Sequence, residues 1–254
     1  MRLNDPNEMR IALEGGAATT ALLYPSAAPR VGATYILAHG AGAWQRSLFM
    51  VDYGRALSAM GVDVVTFNFP FTEERRRIPD RAPVLERCYR TVIDAVRREV
   101  QSARSTLVIG GKSMGGRMAT HVAAADPGLV LAGLVLLGYP LHPPGKPQQR
   151  RDRHLPAIER PMLFVQGSRD AFGSPDELAP ALDTLRPSPT LHVVMHGDHS
   201  FKVPKQNPTR QAEVHADVQR TIVGWIAALA ARGERLASHR DGRGASMARR
   251  DDRE

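Results

Sequence analysis

The chain has 254 residues, 43% hydrophobic and 24% charged, with a net charge of +8. That is enough apolar material for one α/β core, a class that commonly runs undivided at this length. The single cysteine, Cys88, excludes an internal disulfide and suits a reducing cytoplasm. No stretch reaches the apolar length of a membrane span, and Met1-Arg2-Leu3-Asn4-Asp5-Pro6 lacks a signal-peptide core.

Taken in chain order, residues 10–14 and 18–24 form an expected hairpin and 34–38 a strand. A helix is expected over 46–60, a strand over 62–69 and a long helix over 83–103. In that last segment Val84, Leu85, Cys88, Tyr89, Val92, Ile93 and Val96 recur with helical period, making Cys88 a packed thiol. A strand over 105–110 and a helix over 116–125 follow, then strands at 131–138, 161–166 and 190–195 with helices at 176–184 and 209–231. The unalternated Leu134-Val135-Leu136-Leu137 implies burial on both faces, as in a parallel sheet. Alternating β and α elements predict an α/β fold with a mostly parallel, doubly wound sheet over residues 1–231. Residues 232–254 are polar and mixed in charge, and are expected to form a disordered tail.

The segment Gly111-Lys112-Ser113-Met114-Gly115 follows the apolar run Thr106 to Ile109 and precedes a helical one. Gly-x-Ser-x-Gly between a strand and a helix is the pattern of a nucleophile elbow, which exposes a serine hydroxyl on a sharp turn. Gly111-Lys112-Ser113 also matches the end of a phosphate-binding loop. That motif requires a glycine where Thr106 stands, and the nucleotide-binding reading is set aside.

A serine nucleophile needs a base and an orienting acid. Asp170 follows the strand ending near Gly167, and His199 follows the strand ending near Met195. Both then sit beyond C-terminal strand ends, where open α/β sheets place their sites. His196 and Asp198 are the weaker candidates, one closing its strand and the other adjoining the histidine too closely to face its ring. Backbone amides of Met114 and of Ala41 or Gly42, in His39-Gly40-Ala41-Gly42, are candidates for an oxyanion hole, with His39 bracing the loop.

Two loops carry arginines. Tyr139 to Pro156 is too short and Pro-rich to build a cap, leaving the site open. Arg75, Arg76 and Arg77 follow a strand and so are expected on the rim that presents Ser113. With Lys112 they are the candidate substrate-binding cations, attracting an acidic or phosphate-bearing substrate; the alternative for the arginines is solvated surface. Basic residues are dispersed among acids without interleaved aromatics, so no dedicated nucleic-acid binding is expected.

With these residues in view, the chain resembles α/β-hydrolases of the dienelactone-hydrolase-like group. Within it, the resemblance is to the branch of testis-expressed hydrolase-like proteins and a nuclear acetyltransferase-complex subunit. The matching segments are His39-Gly40-Ala41-Gly42, Asn68-Phe69-Pro70, Gly111 to Arg117, Gly167-Ser168-Arg169-Asp170 and Asp198-His199-Ser200-Phe201. The resemblance implies a serine hydrolase acting on a small-molecule ester or similar acyl bond, with no metal or other cofactor. A thioesterase or acyltransferase on the same triad, or a catalytically silent assembly protein, are the alternatives it leaves. It fixes neither substrate nor oligomeric state.

Overall fold

The computed structural model describes residues 5–27, 29–206 and 209–248. Among them, eight strands form one sheet in the order β1-β2-β4-β3-β5-β6-β7-β8. Strands β1 (Asn7–Ala12) and β2 (Ala18–Tyr24) are an antiparallel hairpin at one edge, and β2 also pairs antiparallel with β4 (Asp63–Phe67). From β4 onward the sheet is parallel, through β3 (Thr34–Ala38), β5 (Leu107–Lys112), β6 (Gly133–Leu137), β7 (Met162–Gly167) and β8 (Thr190–Val194).

Both faces of the central strands are buried, which explains their unbroken apolar runs. In β3, Ile36 and Ala38 join one core while Tyr35 and Leu37 join the other, as the two-residue strand period requires. The first core lies under α3 (Ala82–Glu99) and α5 (Met114–Ala125). The second is covered by α1 (Leu48–Ala59) and α7 (Gln211–Ala248), which pack against one another. Short helices α2 (Pro70–Glu73) and α4 (Ser102–Ser105), and α6 (Pro175–Leu182), complete the order. Helix α6 begins with a capping box in which Ser174 and Glu177 satisfy one another's backbone amides.

The stripe expected on the long helix is the buried face of α3, with Leu85, Cys88, Tyr89, Val92, Ile93 and Val96 inside. Burial raises the Cys88 thiol to about 12, so it is a packed group at neutral pH. Tyr89 reaches through to the sheet: its hydroxyl accepts the Gly110 N–H at 3.0 Å and lies 2.7 Å from the Gly110 carbonyl. The long helix expected to reach residue 103 ends instead at Glu99, because Val100 turns extended before α4.

A larger difference lies at the C-terminus. Helix α7 continues to Ala248, through most of the segment expected to be a disordered tail, and residues 249–254 fall outside the described ones. Residues 209–254 hold no proline and many alanines, arginines and glutamates, so a helix nucleated on the body can propagate there.

Candidate active site

The parallel strands all point their C-terminal ends at one edge of the sheet, and the three candidate side chains arrive there from β5, β7 and β8. At the end of β5, Gly111 takes a φ of +155°, and a Cβ there would lie 2.4 Å from the Ala38 carbonyl oxygen. Gly115 is equally confined, at 2.4 Å from the same oxygen. Two side chains at these positions would push the turn off β3, so only glycine permits it. Ser113, between them, is forced to a φ of 51° and a ψ of −114°, a conformation costing roughly 1–3 kcal/mol in a non-glycine residue. Its amide is held by the Leu137 carbonyl at 2.9 Å.

The structure brings Ser113, His199 and Asp170 together. His199 Nε2 lies 2.8 Å from Ser113 Oγ, and its Nδ1 lies 2.8 and 3.0 Å from the two carboxylate oxygens of Asp170. The Asp170 side chain is 0% exposed, whereas that of His199 is 20% exposed toward the cavity. Asp170 is fixed by the Phe172 amide at 2.8 Å and by Gln166 Nε2 at 2.9 Å. Phe172 stacks on the imidazole with centroids 4.1 Å apart.

The competing candidates sit elsewhere. Asp198 accepts the amides of Ser200 at 2.7 Å and Lys202 at 2.9 Å, so it shapes the loop that carries His199. His196 is exposed, and its backbone bonds Ser168 and Arg169.

Gln166 was not singled out in the sequence. It is fully buried in β7, accepting the Tyr139 amide at 2.8 Å while donating to Asp170 and to the Gly173 carbonyl at 2.7 Å. A polar residue directly after the apolar run Met162 to Val165, still inside the strand, is the available signal.

Opposite the elbow, the Ala43 amide bonds the Gly40 carbonyl at 3.1 Å, closing a turn that carries Ala41 and Gly42. Both line the cavity with Ser113 and Met114, the first residue of α5. His39 braces this turn from beneath. Its Nε2 accepts the Phe69 amide at 3.2 Å, and its Nδ1 donates to the Gly40 carbonyl at 2.8 Å. Burial lowers its pKa to about 4, so the ring is neutral. Asn68 ties the same loops, accepting the Gln45 amide at 2.9 Å.

The candidate substrate-binding cations divide. Lys112 lines the cavity but is largely buried, its Nζ 5.9 Å from the Phe201 ring centre. Desolvation lowers it to about 8 against the opposing pull of Asp170 and Asp198. Arg75, Arg76 and Arg77 are exposed and do not line the cavity that holds Ser113. After β4 the chain enters α2, and Arg76 turns to Glu74 and Asp80, 2.6 Å from each. The expectation that these three arginines border the serine is therefore corrected.

The cavity measures about 790 Å³ and opens to solvent beside His199, with apolar walls from Phe49, Met50, Leu85 and Phe172. The 139–156 loop folds back on itself without a cap, the Arg151 amide bonding the Leu141 carbonyl at 2.8 Å. Among the described residues, no cluster of His, Cys, Asp and Glu is placed to hold a metal ion, and no helix is long and apolar enough to cross a membrane.

The fold is shared with several solved structures. A serine hydrolase without a lid from Xanthomonas campestris aligns with a TM-score of 0.63 at 19% identity, covering 90% of this chain and 95% of that one. A dienelactone hydrolase from Anabaena variabilis aligns with a TM-score of 0.65 at 18% identity, covering 87% and 97%. The esterase Est1E of Butyrivibrio proteoclasticus, with ferulic acid bound, aligns at 0.67 and 14% identity, covering 86% and 99%. The family model described as an alpha/beta hydrolase domain matches residues 31–227, and the chain belongs to that family.

Proposed function

We propose that the protein is a serine hydrolase that cleaves an ester or similar acyl bond through Ser113, His199 and Asp170. The observation that carries this reading is the unbroken hydrogen-bonded line from Asp170 through His199 to Ser113 Oγ, at the mouth of an open cavity. His199 Nε2 takes the Ser113 proton as Oγ bonds the acyl carbon, and the carbonyl electron pair moves onto its oxygen. The amides of Met114 and of Ala41 or Gly42 hold that oxyanion. As it collapses, the leaving group departs with the proton from His199, leaving an acyl-enzyme. A water then gives its proton to His199 and adds to the acyl carbon; collapse releases the acid and returns the proton to Ser113.

Asp170 orients the imidazole and stabilises the imidazolium that forms. Its burial without an unmet hydrogen bond suits that task, since a carboxylate in this position must be held by donors. The shared fold with a dienelactone hydrolase and an esterase supports an ester as substrate. The same groups would serve a thioester.

A fluorophosphonate probe tests the reading directly. The wild-type protein should be labelled on Ser113, and Ser113→Ala should abolish labelling while keeping the melting temperature within a few degrees. A folded wild-type protein that resists the probe would be a silent binding protein instead.

A further inference from the structure

The proposed chemistry leaves the two arginines of the cavity without a task. Arg117 stands one helical turn beyond Ser113 on α5, its amide bonded to the Ser113 carbonyl at 3.0 Å. Arg151 comes from the loop after β6, anchored at both backbone groups: its amide meets Leu141, and its carbonyl accepts the Tyr139 hydroxyl at 2.6 Å. Both residues line the cavity that holds Ser113 and His199. Arg151 and Arg117 thus share one cavity, where burial and then the charge of Arg117 lower the Arg151 pKa.

Neither guanidinium is neutralised by an acid among the described residues, and Arg117 Nε is buried without any hydrogen-bond partner. The surrounding acids are already engaged. Asp152 is taken by Arg150, whose Nε lies 2.8 Å away, and Glu177 by the Ser174 amide and His142. Of the two acids that line the cavity, Asp80 holds Arg76 and the Phe71 amide, and Asp52 acts on His215. An orphaned buried donor is costly, and two like charges in one partly dry cavity add to that cost. A bound anion would relieve both costs. Two planar guanidinium forks suit the oxygens of a carboxylate or phosphate, which they can grip bidentately.

We propose that Arg117 and Arg151 form an anion subsite of this cavity, so that the substrate carries a carboxylate or phosphate group beside its scissile acyl bond. The identity of the ligand as a substrate rests on the hydrolase reading; the anion site itself does not. The preference for negative charge thus belongs to residues on α5 and the β6–β7 loop rather than to Arg75, Arg76 and Arg77.

Two measurements separate these claims. In the first, 4-nitrophenyl hydrogen glutarate is compared with its neutral methyl ester. Wild-type kcat/KM should favour the acidic ester by at least about tenfold, the effect of one to two charge-assisted hydrogen bonds. Arg117→Gln with Arg151→Gln should reduce that ratio at least about tenfold, while Arg117→Lys, keeping the charge but not the fork, should retain part of it.

In the second, glutarate and phenyl phosphate are titrated calorimetrically into the Ser113→Ala protein, with and without the two Arg→Gln changes. Binding of either anion that weakens in the Gln variants supports the site and tells carboxylate from phosphate. If the serine resists fluorophosphonate yet this binding difference persists, the hydrolase reading fails and the anion site stands. Equal kcat/KM for both esters, or anion binding unaffected in folded Gln variants, overturns the proposal.

Discussion

Ser113 is held in a strained backbone state by two neighbours that admit no side chain, and its hydroxyl is aimed at His199 by that strain. Asp170 rather than Asp198 meets the imidazole, so the two acids should behave differently on substitution. Asp170→Asn is expected to lower kcat by about 10⁴, because the neutral amide holds the wrong imidazole tautomer. Asp198→Asn should cost far less, acting only through the loop. Steady-state kinetics on an aryl ester would show this order, and the reverse order would reassign the acid.

Lys112 makes a separate prediction. Its folded pKa is about 8 against an ordinary 10.5, so the unfolded chain binds more protons between those values. The penalty for burying its charge is complete below pH 8 and disappears as pH rises toward 10.5. Lys112→Met should therefore raise the melting temperature more at pH 7 than at pH 10. An equal shift at both would show that the buried ammonium carries no such penalty.

At the scale of the element, β7 does more than place Asp170 beyond its end. Gln166 inside that strand joins the carboxylate to the Tyr139 amide on the β6–β7 loop and to the Gly173 carbonyl, so strand, acid and loop form one hydrogen-bonded unit. Gln166→Leu keeps much of the volume but strands a buried N–H and a carbonyl, costing about 1–3 kcal/mol in urea unfolding for each unmet group. With one donor to Asp170 lost, kcat should fall about tenfold or more while KM changes little. Gln166→Glu restores the acceptor for Tyr139 but not the donor to Asp170, so it should not rescue kcat. A rescue by Glu would make the role purely structural.

The whole molecule is held by a sheet buried on both faces, and its acid sensitivity follows from one buried and one half-buried histidine. His39 and His154 are both lowered to about 4, chiefly by burial, while an unfolded histidine titrates near 6.5. Between those values the unfolded chain binds protons that the folded chain refuses, so stability falls as pH drops from 6.5 toward 4. For His39 the full effect is roughly 3 kcal/mol, from about 2.5 pH units at 1.36 kcal/mol each. His39→Gln should flatten the melting-temperature slope across this range, whatever it costs at pH 7. A slope unchanged from wild type would mean that His39 titrates normally in the fold.

Much of this architecture is legible in local sequence because its physical causes are local. The β2 and β3 strands, the buried stripe of α3 and the Gly-x-Ser-x-Gly turn each follow from a periodicity or a steric rule spanning a few residues. The start of α5 was expected two residues late, since Gly115 and Gly116 lower helix propensity in a turn that the sheet imposes. The order Ser113, Asp170, His199 and their places after strands could likewise be read along the chain. What the chain could not show was contact between residues far apart in it. Gln166 on Asp170, Tyr89 on β5, and Arg117 and Arg151 lining one cavity while Arg76 turns away to Asp80 depend on which loops the sheet order brings to one edge. Sequence patterning determines which segments are strands, helices and turns; only the folded sheet decides which charges meet across a cavity and which are neutralised outside it.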